Sequence, residues 1–381
     1  MGTYLLIPVT PLQFRKAGDY IFSLGGYSLR EYVEYIPSPY TIIGAMISSM
    51  LSVEPTFRSS LKYRMSVNNI EDYFKNYKSQ ISEFIKRLIG PIACLVDPRN
   101  YTIINLLLPS PYDMFVYEVH RKGYLGFMVP VISDNRTLFH VRKAYYEGKE
   151  IYVHFADDKR CTELKGYLVR EDVFKSYIQQ EEGVYSKYSI IELKSTTRLR
   201  IAMDRIKKVT QFFAFRPLTP PGALYYVTQS HYEVIDLDRQ NLSKSRYRVA
   251  LLADLNVCKK FKGILNEAMF TLGGREGIAY MERIEISIIE KLISLFRNVL
   301  DKISEEKIAR IIFLTPPIAS DRQTFLNYIV KELEKKGFKN PCILTSFYEE
   351  DSISGFDLRL AMNKPLTYSL RPGSVMIVRF Q

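Results

Sequence analysis

The stretch Leu272–Gly277, LGGREG, sets three glycines, an arginine and a glutamate between two apolar runs, Ala268–Phe270 and Ile278–Tyr280. Consecutive glycines can aim several backbone N–H groups into one concavity that seats an anion. Arg275, beside Gly273 and Gly274, adds a planar fork of donors for a phosphate or a base edge. A hairpin turn between two strands explains the same residues equally well. A second candidate is residues 191–216, IELKSTTRLRIAMDRIKKVTQFFAFR, where seven cations, among them Arg198, Arg200 and Arg205, face two anions. Phe212, Phe213 and Phe215 close that stretch. Cations neutralise phosphates and aromatic faces stack unpaired bases, so the mixture suits single-stranded nucleic acid. A solvated strand with core phenylalanines fits it as well. A third candidate is the basic turn at Arg15 and Lys16, ahead of a helix that the spacing of Ile42, Ile43, Met46, Ile47 and Met50 predicts, with Thr41 as its N-cap. A helix start offers free N–H groups and the positive end of a dipole, a seat for phosphate. Gly44 inside that helix costs about 1 kcal/mol relative to alanine, a cost that packing or a close backbone approach would explain.

Other chemistries find little support. The histidines at 120, 140, 154 and 231 are scattered and none pairs at zinc-ligand spacing. HExxH, GxxxxGK[ST], GxSxG and a GxGxxG after a strand are all missing. The acidic run Glu349–Asp351 reads as a solvated loop. The residues therefore predict a binding protein without a catalytic site, metal or cofactor.

Elements must hold these groups in place. The 381 residues suffice for two domains, and 53 Lys plus Arg against 41 Asp plus Glu give a net charge of +12, which favours an anionic partner. Cys94, Cys161, Cys258 and Cys342 form no CxxC pair, as expected of reduced thiols in a cytoplasmic protein. The sequence begins without the pattern of an export signal, and its early uncharged run is too polar for a membrane span. Strands are predicted at TYLLIPV, YTIINLLLP, ALYYVTQS, RYRVALLADL, IARIIFLT, PCILTSF and PGSVMIVRF. The periodicity of residues 70–89 predicts an amphipathic helix stopped by Gly90-Pro91, with further helices over about 284–300 and 320–337. Residues 109–189 read as hairpins and insertions, and PLTPPG (Pro217–Gly222) as a boundary. The order strand, helix, strand, strand near the end predicts an α+β fold with mainly antiparallel sheets.

Taken together, these residues resemble the RAMP superfamily of CRISPR proteins. TPLQFRKAGDY followed by IPSPYTIIGAMISSML is similar to that family's opening, in which a PL-x-F-R-x-G-like turn precedes a P-S-x-x-T-I-x-G-A-x helix. LPSPYDM (Leu108–Met114) is similar to its L-P-x-P-x-D segment, and RLRIAMDRIKKVTQFFAFRPLTPPGALYYV to its R-x-G-I-A-x-D-R segment that runs on to G-x-L-Y. LGGREGIAYM resembles its glycine-rich loop, and GFDLRLAMNKPLTYSLRPGSVMIVRF its closing strand. In this order the set resembles the third subunit of the Cmr (type III-B) effector complex. Departures are Leu199-Arg200 in place of a small residue before Ile201, Phe356 in place of Trp, Arg371 in place of an apolar residue, and the aromatic stretch Gln211–Pro221.

The resemblance implies two ferredoxin-like (RRM-like) domains. The first, 1–217, would carry insertions that are helical over about 56–92 and hairpins and loops over about 109–190; the second, 218–381, would carry the glycine-rich loop. It also implies a non-catalytic subunit that holds the repeat-derived 5′ tag of the CRISPR RNA (crRNA), beside a large polymerase/cyclase-like subunit and a backbone subunit. By the same resemblance Arg15, Lys16, Ser38, Thr41, Gly44, Arg198, Arg200, Arg205, Gly273, Gly274 and Arg275 contact RNA, and a hairpin near 109–145 forms a thumb. The alternative inside the superfamily is a metal-independent endoribonuclease that cuts precursor crRNA. Such an enzyme needs a proton shuttle; residues 1–50 hold no histidine, which leaves Lys16, Tyr20 and Tyr27 as substitutes.

Overall fold

The computed structural model describes residues 2–12, 14, 36–53, 81–82, 84–119, 122–132, 138–146, 149–153, 161–179, 184–185, 190–191, 194–201, 224–231, 233–234, 247–259, 267–273, 277–296, 307–353, 356–357, 362–363 and 366–381. The chain is α+β, and every strand pair among these residues is antiparallel.

The main sheet runs, edge to edge, through Ile190–Ile191, Leu168–Arg170, Ile103–Pro109, Ile85–Val96, Tyr247–Val257, Gly2–Pro8, Ile278–Ile284 and Glu267–Thr271. Its central strands are apolar almost without interruption, because both faces are covered. Tyr4 and Leu6 join one core cluster with Ile42, Met46 and Met50 of the helix Pro39–Val53. Leu5 and Ile7 face the other way, into a cluster with Phe174 and Tyr177 of the helix Glu171–Gln179 and Ile288 and Leu295 of the helix Ile288–Phe296. Gly2–Pro8 and Ile85–Val96 lie on opposite sides of Tyr247–Val257, both antiparallel to it, so they are parallel to each other and are joined through the helix Pro39–Val53. This is a split β-α-β unit.

The same device recurs near the end. Ile308–Ile312 and Cys342–Phe347 flank Val375–Arg379, and the helix Arg322–Lys335 connects them. One face of this small sheet packs Ile311, Phe313 and Met376 on Phe325 of the helix; Ile312 and Leu314 join the core of the main sheet. An insertion within the span of the first unit forms a separate sheet in the order Lys149–Val153, Leu138–Tyr146, Lys122–Ile132, Met114–Val119 and Cys161–Glu163. Met114, Val116, Leu125 and Phe127 join its first hairpin to the central core.

Several expectations change here. The helix expected over 70–89 has ended by residue 84, and Ile85–Val96 is strand. Leu252 pairs with Ile92 and Asp254 with Ile89, so Gly90 and Pro91 together stand against Ala253 in a bulge. A bulge accepts a proline, which has no ladder N–H to give, so Gly90-Pro91 sits within a strand and not at a helix end. The helix expected from Thr41 starts at Pro39, with Ser38 in the capping position. The boundary residues 217–222 lie outside the described residues. Strands from both sides of 217 share the main sheet, whose middle strand, Tyr247–Val257, comes from the later part of the chain.

Candidate nucleic-acid interface

The helix Pro39–Val53 starts on a serine–proline pair suited to that task. Ser38 Oγ accepts from the Thr41 N–H at 3.3 Å and stands 3.1 Å from Thr41 Oγ1. Proline at the first helical position brings a pre-set φ and no N–H to satisfy. Ser38 is buried and its hydroxyl serves the cap, while Thr41 is half-buried. The first turn carries no carboxylate, so the positive end of the helix dipole has no acidic side chain of its own first turn against it. Gly44, one turn on, is exposed, and a Cβ there would meet nothing within 4 Å. Packing therefore gives no reason for this glycine.

The helix is bound to the root of the glycine-rich turn. Ile42 shares a core cluster with Leu12, Phe14, Ile36, Phe270 and Leu272. The flanking strands Glu267–Thr271 and Ile278–Ile284 pair as a hairpin, closed by the Leu272 N–H donating to Gly277 O at 2.9 Å. The segment after the first strand rides on the same hairpin. The Val9 N–H donates to Ile278 O at 2.8 Å, and the Ile278 N–H donates to Thr10 Oγ1 at 2.8 Å. A Cβ on Gly277 would lie 2.1 Å from the Leu272 carbonyl oxygen, so closure of the turn itself demands glycine at this position. Gly273 is exposed with φ +82°.

Of the residues expected to contact RNA, the structure gathers Ser38, Thr41, Gly44 and Gly273 around this one cluster of Leu12, Phe14, Ile42 and Leu272. Arg15, Lys16, Arg205, Gly274 and Arg275 lie outside the described residues. Arg198 and Arg200 stand on the ribbon of Lys194–Ile201 paired with Leu224–His231, opposite Val227 and Tyr225.

Two further constellations join the closing segment to the LPSPYDM stretch. The first is a buried cluster. Asp113, 1% exposed, accepts from Tyr177 Oη at 2.6 Å and from Arg310 Nη1 at 3.0 Å. Arg310 Nη2 donates to Met128 O at 2.8 Å, and its guanidinium lies 5.2 Å from the centre of the Phe127 ring. Burial raises the Asp113 carboxyl above its ordinary value against the opposing pull of the Arg310 charge and the Tyr177 hydrogen bond. Burial, with the neighbouring Asp113 charge, also pushes the Tyr177 hydroxyl well up.

The second is the turn before the last strand. The Tyr112 N–H donates to Gly373 O at 2.8 Å, and a Cβ on Gly373 would lie 2.3 Å from Ser110 O. Beside it Arg371, the residue that departs from the family pattern, pairs with Glu349 and stands 3.9 Å from Asp351. Burial pushes the Tyr112 hydroxyl up to about 12, helped by the Glu349 charge and opposed by Arg371. The acidic run Glu349–Asp351 is therefore only partly the solvated loop expected: Glu349 and Glu350 keep 43% and 49% of their side chains exposed, but Asp351 is 8% exposed and Glu350–Ile353 is a strand. The unexpected arginine and the acidic run explain each other.

The cluster around Asp113 was missed in the sequence, although two signals stood there: an arginine inside the apolar strand IARII, and an aspartate between Tyr112 and a strand. Among the described residues no group of three or more His, Cys, Asp or Glu is placed to hold a metal ion, and no helix is long and apolar enough to cross a membrane. All four cysteines are free thiols.

The family model described as CRISPR-associated protein (Cas_Cmr3) matches residues 30–381. No curated protein matches the chain. Among solved structures, a chain of the cryo-EM structure of the type III-B Cmr-beta bound to cognate target RNA is 13% identical at a TM-score of 0.47, over 98% of this chain and 86% of that one. A chain of the same assembly with target RNA and AMPPnP, in state 1, is 14% identical at 0.44, over 98% and 86%. A chain of the crystal structure of the Csm3–Csm4 subcomplex in the type III-A interference complex is 13% identical at 0.37, over 99% and 92%.

Proposed function

Because the chain belongs to the Cas_Cmr3 family of CRISPR-associated proteins, we propose that it is a non-catalytic subunit of a type III-B CRISPR (Cmr) effector complex. In this reading it holds the repeat-derived 5′ tag of the crRNA and docks the large polymerase/cyclase-like subunit and a backbone subunit. The two split β-α-β units are the cores of two ferredoxin-like domains, and the insertion sheet supplies the thumb that kinks the RNA. One juxtaposition carries the reading. A helix start without acidic side chains in its first turn, an exposed glycine one turn later and a glycine-rich hairpin are all rooted in one apolar cluster. Such a site offers backbone donors and close approach to a phosphodiester chain while needing no proton shuttle.

The test is recovery of the chain from its native host with what it binds. The expected companions are short guide RNAs that share one repeat-derived 5′ end, together with two further subunits of the interference machinery. Recovery of neither overturns the reading. Incubating the purified protein with repeat-containing RNA in chelator tests the non-catalytic part; cleavage at a single position would make it the processing nuclease instead.

A further inference from the structure

Among the described residues the insertion sheet touches the rest of the molecule both through apolar packing and through directional polar contacts, one of them the ladder of Val184–Tyr185 on Lys122–Ile132. Met114, Val116, Leu125 and Phe127 give it an apolar contact with the central core. Such a contact is non-directional: it rewards adhesion more than any one angle. At the same junction Arg310, from the C-terminal split β-α-β unit, reaches two points of the insertion with one planar group. Its Nη1 meets Asp113 at the entry to the first strand of the insertion, and its Nη2 meets the Met128 carbonyl in the adjoining strand. A guanidinium fork holds two acceptors in a fixed mutual geometry, which a point charge does not. Tyr177 completes the shell of Asp113 from a third element, the helix Glu171–Gln179, and the Met128 N–H donates to Asp113 O at 2.9 Å. The Tyr112–Gly373 hydrogen bond clamps the next residue from the same C-terminal unit.

We propose that Arg310 is a positioning residue that sets the angle of the insertion sheet against the body of the protein. The apolar contact makes the two adhere, and the fork of Arg310 selects one pose among those that adhesion alone would permit. The consequence for RNA rests on the reading of the insertion sheet as a thumb. A thumb that rocks about its root kinks the guide poorly, so its grip depends on a partly buried residue that touches no RNA.

The experiment is hydrogen exchange on the full chain with Arg310→Met and Arg310→Lys. The amides of Met128 and Tyr112 report on the junction, and those of Leu251 and Leu252 on the main sheet. In Arg310→Met the two junction amides should exchange about tenfold faster while the main-sheet amides keep their protection. Arg310→Lys keeps the charge and loses the fork, so it should stay loosened at Met128. Unchanged junction amides in Arg310→Met would overturn the proposal, as would full rescue by lysine, which would reduce the role to charge. If Arg310→Met fails to fold, Tyr177→Phe replaces it: removal of one hydroxyl should speed exchange at Met128 several-fold, and no change there would equally overturn the proposal. Retention of guide RNA in the reconstituted complex is read separately. A loosened junction with undiminished retention keeps Arg310 as the positioning residue and removes the thumb from the proposed function.

Discussion

Gly44, inside a helix, and Gly373, in the turn before the last strand, carry opposite instructions. Nothing crowds Gly44, so Gly44→Ala should stabilise the free chain by about 0.5–1 kcal/mol through helix propensity alone, read as a higher urea midpoint. If a phosphodiester backbone passes over that turn of helix, the same methyl should weaken guide-RNA retention. Higher stability with unchanged retention would take Gly44 out of the site. Gly373 has φ +92° and no room for a methyl against Ser110 O, so Gly373→Ala should cost about 2–3 kcal/mol in the same measurement. The sequence showed both glycines but not this difference, because neighbours in space decide it. Asp113 adds a pH dependence. Its folded-state pKa is raised above the ordinary 3.8, so its contribution to stability is fully present below that value and is lost as pH rises through the raised one. Compared across that window by urea unfolding, Asp113→Asn should remove this fall; an unaltered profile would assign it to another group.

Elements were legible where their signals were local. The helix Arg322–Lys335 was readable from its cap: Asp321 accepts from the Thr324 N–H at 2.8 Å and from Thr324 Oγ1 at 2.7 Å, and Gly337 follows its end. Those hydrogen bonds lower the Asp321 carboxyl to about 2. A depressed acid contributes above its ordinary value and loses that contribution as pH falls through the lowered one, so the first turn of this helix should fray between about 4 and 2. Asp321→Asn caps without titrating, and the protection of its first-turn amides relative to their intrinsic exchange rate should be flat across that range; a persisting loss of protection in acid would place the cause elsewhere. The stretch 85–89 misled because IKRLI fits either period, and the deciding partner, Tyr247–Val257, lies more than 150 residues away. The apolar strands flanking LGGREG were correctly legible as a hairpin, and Gly277 turned out to serve closure of the turn.

At the scale of the whole molecule, the excess of positive charge should appear as salt dependence. Each phosphate contact to a single strand contributes roughly 0.7 to the slope of log affinity against log salt. Neutralising Arg198, Arg200 and Arg205 together should therefore flatten that slope by about 2 if all three meet phosphates. An identical slope would assign the stretch that holds them to the core or to a protein contact. The α+β class and the strand–helix–strand–strand order of the C-terminal unit could be read from local pattern and punctuation. The sharing of one sheet by distant segments could not, because pairing partners leave no mark in local periodicity.

That sharing has a consequence for synthesis. A nascent chain leaving the ribosome produces Gly2–Pro8 and Ile85–Val96 long before Tyr247–Val257 exists to fill the slot between them. Until then three apolar edges stand open, both of Gly2–Pro8 and one of Ile85–Val96, and open edges recruit other chains. A fragment halted at residue 246 should accordingly aggregate, and adding residues 247–284, which bring both neighbours of Gly2–Pro8, in trans should restore solubility; a soluble, monomeric fragment in light scattering would show that the edges close without their native strands.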